Sequence, residues 1–180
     1  MLDDKIEEIL IPEETIQARV KELGKELAQD YAGKNPILIS ILKGGVYFLS
    51  DLTRAMQIPL LIDFLVVNSY GDSQETSGVV RVIKDLKEDI RRRHVLLVED
   101  IIDTGLTVDY LLKNLQTRSP LSLEVCALLS KPVRRKVEVP IKYIGFEVPD
   151  KFVVGYGLDY KQYYRNLPFV CVLKPEIAET

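Results

Sequence analysis

Three carboxylates and a small hydroxyl-bearing turn lie within one short stretch of the chain. Glu99 and Asp100 come directly after four apolar residues, Asp103 follows two isoleucines later, and the turn Thr104-Gly105 comes next. Acids that follow a buried run are costly unless they meet water, a metal or a hydrogen-bond donor. The stretch therefore predicts a site whose acids act on hydroxyl groups or on a metal ion.

The turn after these acids is suited to an anion. Gly105 permits a positive φ and a close approach of the backbone. An amphipathic run with Leu111, Leu112 and Leu115 follows, and Thr107 is able to cap or open that helix. Because backbone N–H groups at a helix start point outward at the positive end of its dipole, we expect a phosphate here. An isolated Asp-Thr-Gly turn would be weak evidence, since such turns are common.

A second strand–glycine–helix segment precedes the first. Residues 37–42 are strand-like and apolar, Lys43-Gly44-Gly45 follows, and a helix is predicted over Val46–Met56. Repeated units of this kind form a parallel sheet, and ligands bind beyond the carboxyl ends of its strands. Both loops are therefore expected at one edge of the sheet. Taken alone, Lys43 is more simply explained as a solvated lysine at a turn.

The remaining segments complete an alternating pattern. Residues 12–31 have helical spacing, and the strand-like segments 60–67 and 79–83 are separated by about ten polar residues, as in a hairpin with a long tip. Further strands are predicted over residues 121–130, 141–147 and 169–173. This order predicts an α/β fold with a mostly parallel twisted sheet flanked by helices.

The composition excludes several classes of protein. The chain has 180 residues, of which 28% are charged and 47% hydrophobic, as in an ordinary soluble domain. A net charge of −3 argues against a nucleic-acid partner. No apolar run approaches the roughly 20 residues of a membrane span, and the acidic N-terminus lacks a signal peptide's features. We therefore expect a cytoplasmic protein with no membrane partner, in which Cys126 and Cys171 are core residues and the single His94 offers little basis for a Ser-His or Cys-His mechanism.

The stretch Val98 to Thr107, VEDIIDTGLT, resembles the phosphoribosyl pyrophosphate motif of the type I phosphoribosyltransferases, and more narrowly that of the hypoxanthine-guanine phosphoribosyltransferases. Leu42 to Gly45, LKGG, matches the family's pyrophosphate loop, with an unusual peptide geometry implied at Leu42–Lys43. The resemblance implies the type I phosphoribosyltransferase fold as a single domain over residues 1–180. Its core would span about 12–144, and a small hood subdomain would come from about 1–11 and 145–180.

The resemblance also implies an activity. The enzyme would serve purine salvage by transferring 5-phosphoribosyl from phosphoribosyl pyrophosphate to N9 of hypoxanthine or guanine, giving IMP or GMP and pyrophosphate. Xanthine stays open as a further substrate. Mg²⁺ would be the cofactor, and the family pattern implies a homodimer or homotetramer.

Individual roles follow from the same resemblance. Asp103 would be the catalytic general base near N7 of the purine. Lys131 would donate to O6, Phe152 would stack on the base, and Ser69-Tyr70 would belong to a loop that closes over the reacting centre. The residues expected to bind phosphoribosyl pyrophosphate are Lys43, Gly44, Glu99, Asp100, Asp103, Thr104, Gly105, Leu106, Thr107 and Arg165. Those expected at the purine are Lys131, Phe152, Val153 and Asp159, and those expected to hold the metal are Glu99, Asp100 and Asp159.

Other interpretations remain at this stage. Without the family, Lys131, Phe152 and Asp159 are ordinary surface, core and turn residues, and Leu106 stands where some relatives place a lysine. A phosphoribosyltransferase for xanthine or a pyrimidine is one alternative. A non-catalytic phosphoribosyl pyrophosphate sensor that binds nucleic acid would need a basic face or an added module. A dinucleotide-binding domain would need a Gly-x-Gly-x-x-Gly turn after its first strand.

Overall fold

A computed structural model describes residues 3–69 and 80–178. The elements in chain order are a 3₁₀ turn at Asp3–Lys5, β1 (Ile6–Ile11), α1 (Glu13–Asp30), β2 (Ile37–Ile41), α2 (Val46–Met56), β3 (Leu61–Ser69), β4 (Val80–Lys84), β5 (His94–Ile102), α3 (Leu106–Gln116), β6 (Ser122–Ser130), a 3₁₀ turn at Pro132–Arg134, β7 (Tyr143–Glu147), β8 (Val153–Val154), β9 (Val170–Leu173) and α4 (Pro175–Ala178). None of the helices in this described part is long and apolar enough to cross a membrane.

A six-stranded sheet forms the centre, in the order β4-β3-β2-β5-β6-β7. All neighbours are parallel except β3 and β4, which pair antiparallel, so the predicted mostly parallel sheet is confirmed. Alternate residues of β5 face opposite layers: Leu96 and Val98 pack in a cluster with α1 and α2, whereas Val95 and Leu97 pack with α3. Helices therefore cover both faces, as the buried apolar runs required.

Strand β5 is longer than its apolar run indicated. Glu99 and Asp100, expected just beyond the strand, lie inside it, because the parallel ladder continues through the pairs Glu99↔Ala127 and Ile101↔Leu129. The backbone ladder does not depend on side-chain polarity, and so the acids extend it. Helix α3 begins at Leu106 with Gly105 at its N-cap, not with a cap from Thr107.

A three-stranded antiparallel sheet, ordered β1-β9-β8, draws on both ends of the chain. Residues of this small sheet, including Ile11, Val153 and Val170, share one core cluster with the large sheet. The boundary expected near residue 145 falls inside β7, which belongs to the large sheet, and the division into core and hood stays a prediction. Both cysteines are buried and free, as expected.

Candidate active site

The two predicted loops meet because β2 and β5 are adjacent and parallel. Gly44 lies directly against the carboxylate of Asp100, and a Cβ at Gly44 would overlap Asp100 Oδ2. The peptide bond between Leu42 and Lys43 is cis, so the expected unusual geometry is present. Only glycine allows a backbone this close to a carboxylate, and the two strand ends therefore share one surface.

A cavity of about 200 Å³ lies over the turn after β5. Glu99 lines it from the strand, and its wall continues through Asp103, Thr104, Gly105 and Thr107. Gly105 has φ +83°, and a Cβ there would stand 2.7 Å from the Val137 carbonyl oxygen. The Thr104 carbonyl accepts hydrogen bonds from the backbone N–H groups of Lys136 (2.9 Å) and Val137 (3.3 Å). The segment after β6 therefore holds this turn in place at the start of α3, where the helix dipole favours an anion.

The carboxylates of Glu99 and Asp100 in β5 lie in surroundings that disfavour their charged forms. Glu99 is only 6% exposed, and its Oε1 has no hydrogen-bond partner among the described residues. Burial raises the pKa of Glu99 well above its usual range, and the Asp100 carboxylate adds to the effect. Burial also raises the pKa of Asp100 to about 6, against the lowering by the Ile101 N–H and by Arg165. Such a pair is suited to a hydroxyl donor or a cation.

The described residues contain no group of three or more histidine, cysteine, aspartate or glutamate side chains arranged to hold a metal ion. Mg²⁺ is commonly bound by one or two carboxylates together with water and substrate phosphates. The buried, unpartnered oxygen of Glu99 and the adjacent Asp100 fit such an open site. Asp159 acts on Asp100 electrostatically, but its own oxygens already contact Arg165 and the Gln162 N–H.

Two cations converge on a single acceptor beside Gly44. Lys43 Nζ donates to Gln162 Oε1 at 3.0 Å, and Arg165 Nη2 donates to the same oxygen at 3.3 Å. Arg165 also pairs with Asp159 Oδ1 at 2.6 Å. Gly157 is packed so closely on the Gly44 carbonyl that a Cβ would overlap it. The predicted pyrophosphate residues Lys43, Gly44 and Arg165 are therefore neighbours, and sequence reasoning missed Gln162, which no motif distinguishes.

Asp103 and Lys131 lie together at the far side of the turn. The Lys131 backbone N–H donates to the Ile102 carbonyl at 3.0 Å, and Lys131 Nζ donates to the Lys151 carbonyl at 2.6 Å. Burial lowers the pKa of Lys131, while Asp103 and Asp150 oppose that shift. Asp103 Oδ1 lies 3.3 Å from Arg134 Nε. The sequence analysis assigned no role to Arg134, because no motif distinguishes it.

The expected purine residues follow in the segment leading into β8. Phe152 is 53% exposed and meets Tyr160 edge to face, with ring centroids 5.9 Å apart. Val153 is buried in β8, where it pairs with Val172. An exposed aromatic face beside a buried strand is available for stacking on a flat ligand. Of the loop pair, Ser69 is the last residue of β3, opposite Val80, whereas Tyr70 lies outside the described residues.

The fold and the arrangement of this edge are those of a phosphoribosyl-transferring enzyme. Residues 8–161 match the phosphoribosyl transferase domain family, and the chain belongs to that family. It is 49% identical over 180 residues to the hypoxanthine-guanine phosphoribosyltransferase of Mycobacterium avium, covering 97% of this chain and 89% of that protein. It is 47% identical to the hypoxanthine-guanine phosphoribosyltransferase of Bacillus subtilis (strain 168), with 100% of both chains covered.

A solved structure gives the same result for the fold. The crystal structure of a hypoxanthine phosphoribosyltransferase from Staphylococcus aureus superposes with a TM-score of 0.95 at 46% identity, and the match covers 98% of this chain and 96% of that chain. The similarity therefore extends through both sheets.

Proposed function

We propose that this chain is a hypoxanthine-guanine phosphoribosyltransferase of purine salvage. It would transfer 5-phosphoribosyl from phosphoribosyl pyrophosphate to N9 of a 6-oxopurine and release pyrophosphate. The observation that carries the proposal is the meeting of an acidic strand end, a glycine turn at a helix start and two converging cations at one sheet edge, in a chain 47–49% identical to enzymes of that name. The products would be IMP and GMP.

The ribose and its phosphates would occupy the sheet edge. The turn from Asp103 to Thr107, including Thr104, Gly105 and Leu106, would hold the 5′-phosphate through backbone N–H groups and the two threonine hydroxyls. Glu99 and Asp100 would bind the ribose hydroxyls, because buried carboxylates gain most from donors. Lys43, the Gly44 backbone and Arg165 would bind the pyrophosphate by exchanging the neutral Gln162 oxygen for anionic ones.

The purine would lie between Asp103 and Phe152. Asp103 would accept the proton that the purine loses, a contribution of about 10²–10⁴ in rate. Lys131 would donate to O6, for which its ammonium has the required donor capacity. Phe152 would cover one face of the ring, and the Val153 backbone would meet its edge. Exclusion of water by the loop that includes Ser69 and Tyr70 would protect the cationic ribosyl carbon from hydrolysis.

Mg²⁺ is the cofactor that these residues fit. Glu99 and Asp100 would hold it, directly or through water, and Asp159 would contribute from the side of Arg165. When bound, the ion supplies charge neutralisation for the leaving pyrophosphate. Glu99 and Asp100 would bind a cation in their ionised forms.

Three further expectations belong to the proposal. A homodimer or homotetramer, implied by the family resemblance, is to be decided by light scattering. A cytoplasmic location is supported by two buried cysteines that form no disulfide. The hood, over about residues 1–11 and 145–180, would be built around the small sheet formed by β1, β8 and β9.

Pyrophosphate release is the direct test. Phosphoribosyl pyrophosphate and Mg²⁺ are supplied with hypoxanthine, guanine, xanthine, adenine or uracil in separate reactions. We expect rapid release with hypoxanthine and guanine, only a low level with adenine, and none with uracil. Release only with xanthine or uracil would establish a different base specificity. Binding of phosphoribosyl pyrophosphate without release for any base would favour a non-catalytic sensor instead.

A further inference from the structure

A charge cluster on the purine side of the site joins three separate segments of the chain. Arg134, in the 3₁₀ turn after β6, has its Nε 3.3 Å from Asp103 Oδ1 and its Nη1 3.7 Å from Asp150 Oδ1. From these contacts we propose that Arg134 is a positioning residue for the reaction, which holds the Asp103 carboxylate in the orientation that proton acceptance requires. The inference rests on the proposed function and adds a residue to it.

The Asp103 oxygen that faces Arg134 is shielded from water. Its Oδ1 is inaccessible to solvent and has no hydrogen-bond partner among the described residues, so the guanidinium 3.3 Å away provides charge compensation without a well-aligned hydrogen bond. A buried carboxylate oxygen without such compensation is strongly unfavourable. Without Arg134, Asp103 would turn toward water or toward the Lys131 ammonium, which already interacts with it electrostatically.

The geometry calls for arginine in particular. A guanidinium presents several nitrogens in a fixed plane, so Nε can face Asp103 while Nη1 faces Asp150. Asp150 lies two residues before Phe152, which directly precedes β8. Arg134 therefore links the turn that bears the general base to the segment that would stack on the purine. A lysine would keep one charge contact and lose the bridge.

The neighbouring arginine has a different environment. Arg135 Nη2 donates to Ser130 Oγ at 2.8 Å, and its Cδ is the atom that a Cβ on Gly105 would approach to 3.1 Å. Arg135 therefore packs under the turn, whereas Arg134 is directed at the two acids. With 48% of its side chain exposed, Arg134 contributes little to the packed core, and its loss is expected to leave the fold intact.

The test compares Arg134→Gln and Arg134→Lys with the wild type in pyrophosphate release with hypoxanthine. We expect Arg134→Gln to lower kcat about tenfold, because small misplacements of a catalytic group are costly, and to leave KM for phosphoribosyl pyrophosphate within about twofold. Arg134→Lys should recover part of the loss. Arg118→Gln is the matched control, because it makes the same change in an arginine that is paired with an aspartate, Asp85 at 2.8 Å, away from the site.

A double-mutant cycle identifies the residue through which Arg134 acts. If it acts through Asp103, Arg134→Gln should change kcat by less than about twofold in an Asp103→Asn background. A full tenfold effect in that background, or wild-type kcat in the single variant, would overturn the inference. A loss of kcat that is proportional to the fall in unfolding temperature across the variants would also overturn the inference, because it would indicate a loss of stability. A wild-type protein that releases no pyrophosphate would refute the proposed function itself, and an active wild type with an unaffected Arg134→Gln would refute only this inference.

Discussion

Asp103 and Lys131 occupy equivalent places on neighbouring strands. Ile102 of β5 is in register with Ser130 of β6, so the residue that follows each strand stands at the same level of the sheet edge. The Lys131 N–H bond to the Ile102 carbonyl fixes this relation in the backbone. A carboxylate and an ammonium group are thereby placed side by side, although Asp103 and Lys131 belong to no common sequence motif.

Asp103→Asn tests the general base. The amide keeps the shape of the carboxylate but cannot take up a proton, so kcat with hypoxanthine should fall about 10²-fold or more. Steady-state pyrophosphate release measures it, with KM for phosphoribosyl pyrophosphate as the binding check. Asp89→Asn is the control, because the Asp89 carboxylate is exposed, lies away from the site and accepts the Arg91 N–H. A fall of less than about threefold with binding intact would end this role for Asp103.

Lys131→Ala tests the recognition of O6. Loss of a charged donor to a carbonyl costs about 1.5–3 kcal/mol, so kcat/KM for hypoxanthine and guanine should fall about 10–100-fold. Activity with adenine, which lacks the 6-oxo group, should change little from its low wild-type level. Lys87→Ala, an exposed lysine beyond β4, serves as the control. Equal losses for oxo- and aminopurines would refute the O6 assignment.

Strand β5 organises the site at the scale of the elements. It pairs with β2 on one side and β6 on the other, so the loops after all three strands reach one edge. The turn after β5 is held by the segment 136–137, and the loop after β2 is held by the contact of Gly44 with Asp100 of β5. The loops are therefore positioned by contacts with other segments of the chain more than by their own residues.

Gly44→Ala tests this close packing. A Cβ at Gly44 would overlap the Asp100 carboxylate and push the Lys43–Gly45 loop away from β5. We expect kcat/KM for phosphoribosyl pyrophosphate to fall about 10²-fold, as for a displacement near 1 Å. Gly33→Ala is the control away from the site. Its added Cβ meets no atom within 4 Å, and because φ at Gly33 is +71°, its strain should lower stability and leave kcat/KM unchanged. Equal activity of the two variants would show that the loop tolerates displacement.

Asp63 of β3 accepts hydrogen bonds from the backbone of the segment before β5, and this contact should make the free energy of unfolding depend on pH. Burial alone would raise its pKa, but the N–H groups of Glu88, Phe64 and Lys87 and the nearby Lys84 lower it overall. A lowered folded pKa means that the stabilisation is present above the unfolded value and is lost as pH falls through the folded one. Asp63→Asn should cost about 2 kcal/mol at pH 7. In urea unfolding, the difference in unfolding free energy between the wild type and Asp63→Asn should narrow below about pH 4. A difference that does not change with pH would contradict this account.

The whole molecule is held together by a core that the two sheets share. Residues of β1, β8 and β9 pack in the same cluster as α1, α2 and β5. A polar contact adds to it: Tyr156 OH, just beyond β8, donates to Asp51 Oδ2 of α2 at 2.6 Å. The small sheet is therefore expected to unfold with the large one in a single transition.

Tyr156→Phe tests the connection between the small sheet and α2. Burial, with Asp51 as the next cause, raises the pKa of Tyr156, so its hydroxyl stays a donor throughout the working range. Its removal should cost about 1–2 kcal/mol of unfolding free energy, because Asp51 loses this donor and keeps the bond from Gln17. Urea denaturation measures the change. Tyr163→Phe, at a residue that is 71% exposed, should have no measurable effect, and two separate transitions in either protein would contradict the shared core.

The sequence by itself determined the elements and their class. Apolar runs of strand and helix period predicted α2 at Val46–Met56 without error and β2, β6 and β9 within one residue, because local burial patterns are written in the chain. The string VEDIIDTGLT and the loop LKGG indicated the edge of the sheet at which the candidate site is proposed, and the parallel pairing of β2 with β5 brings the two loops together there. Long-range partners leave no such local pattern.

Only the tertiary structure decided the contacts between distant segments. It placed Glu99 and Asp100 inside β5, because ladder hydrogen bonds with β6 outweigh the break in side-chain polarity. It brought Gln162 between Lys43 and Arg165, and Arg134 between Asp103 and Asp150. These pairings depend on strand register and loop path, which are set by the packing of the whole chain and not by the spacing of residues along it.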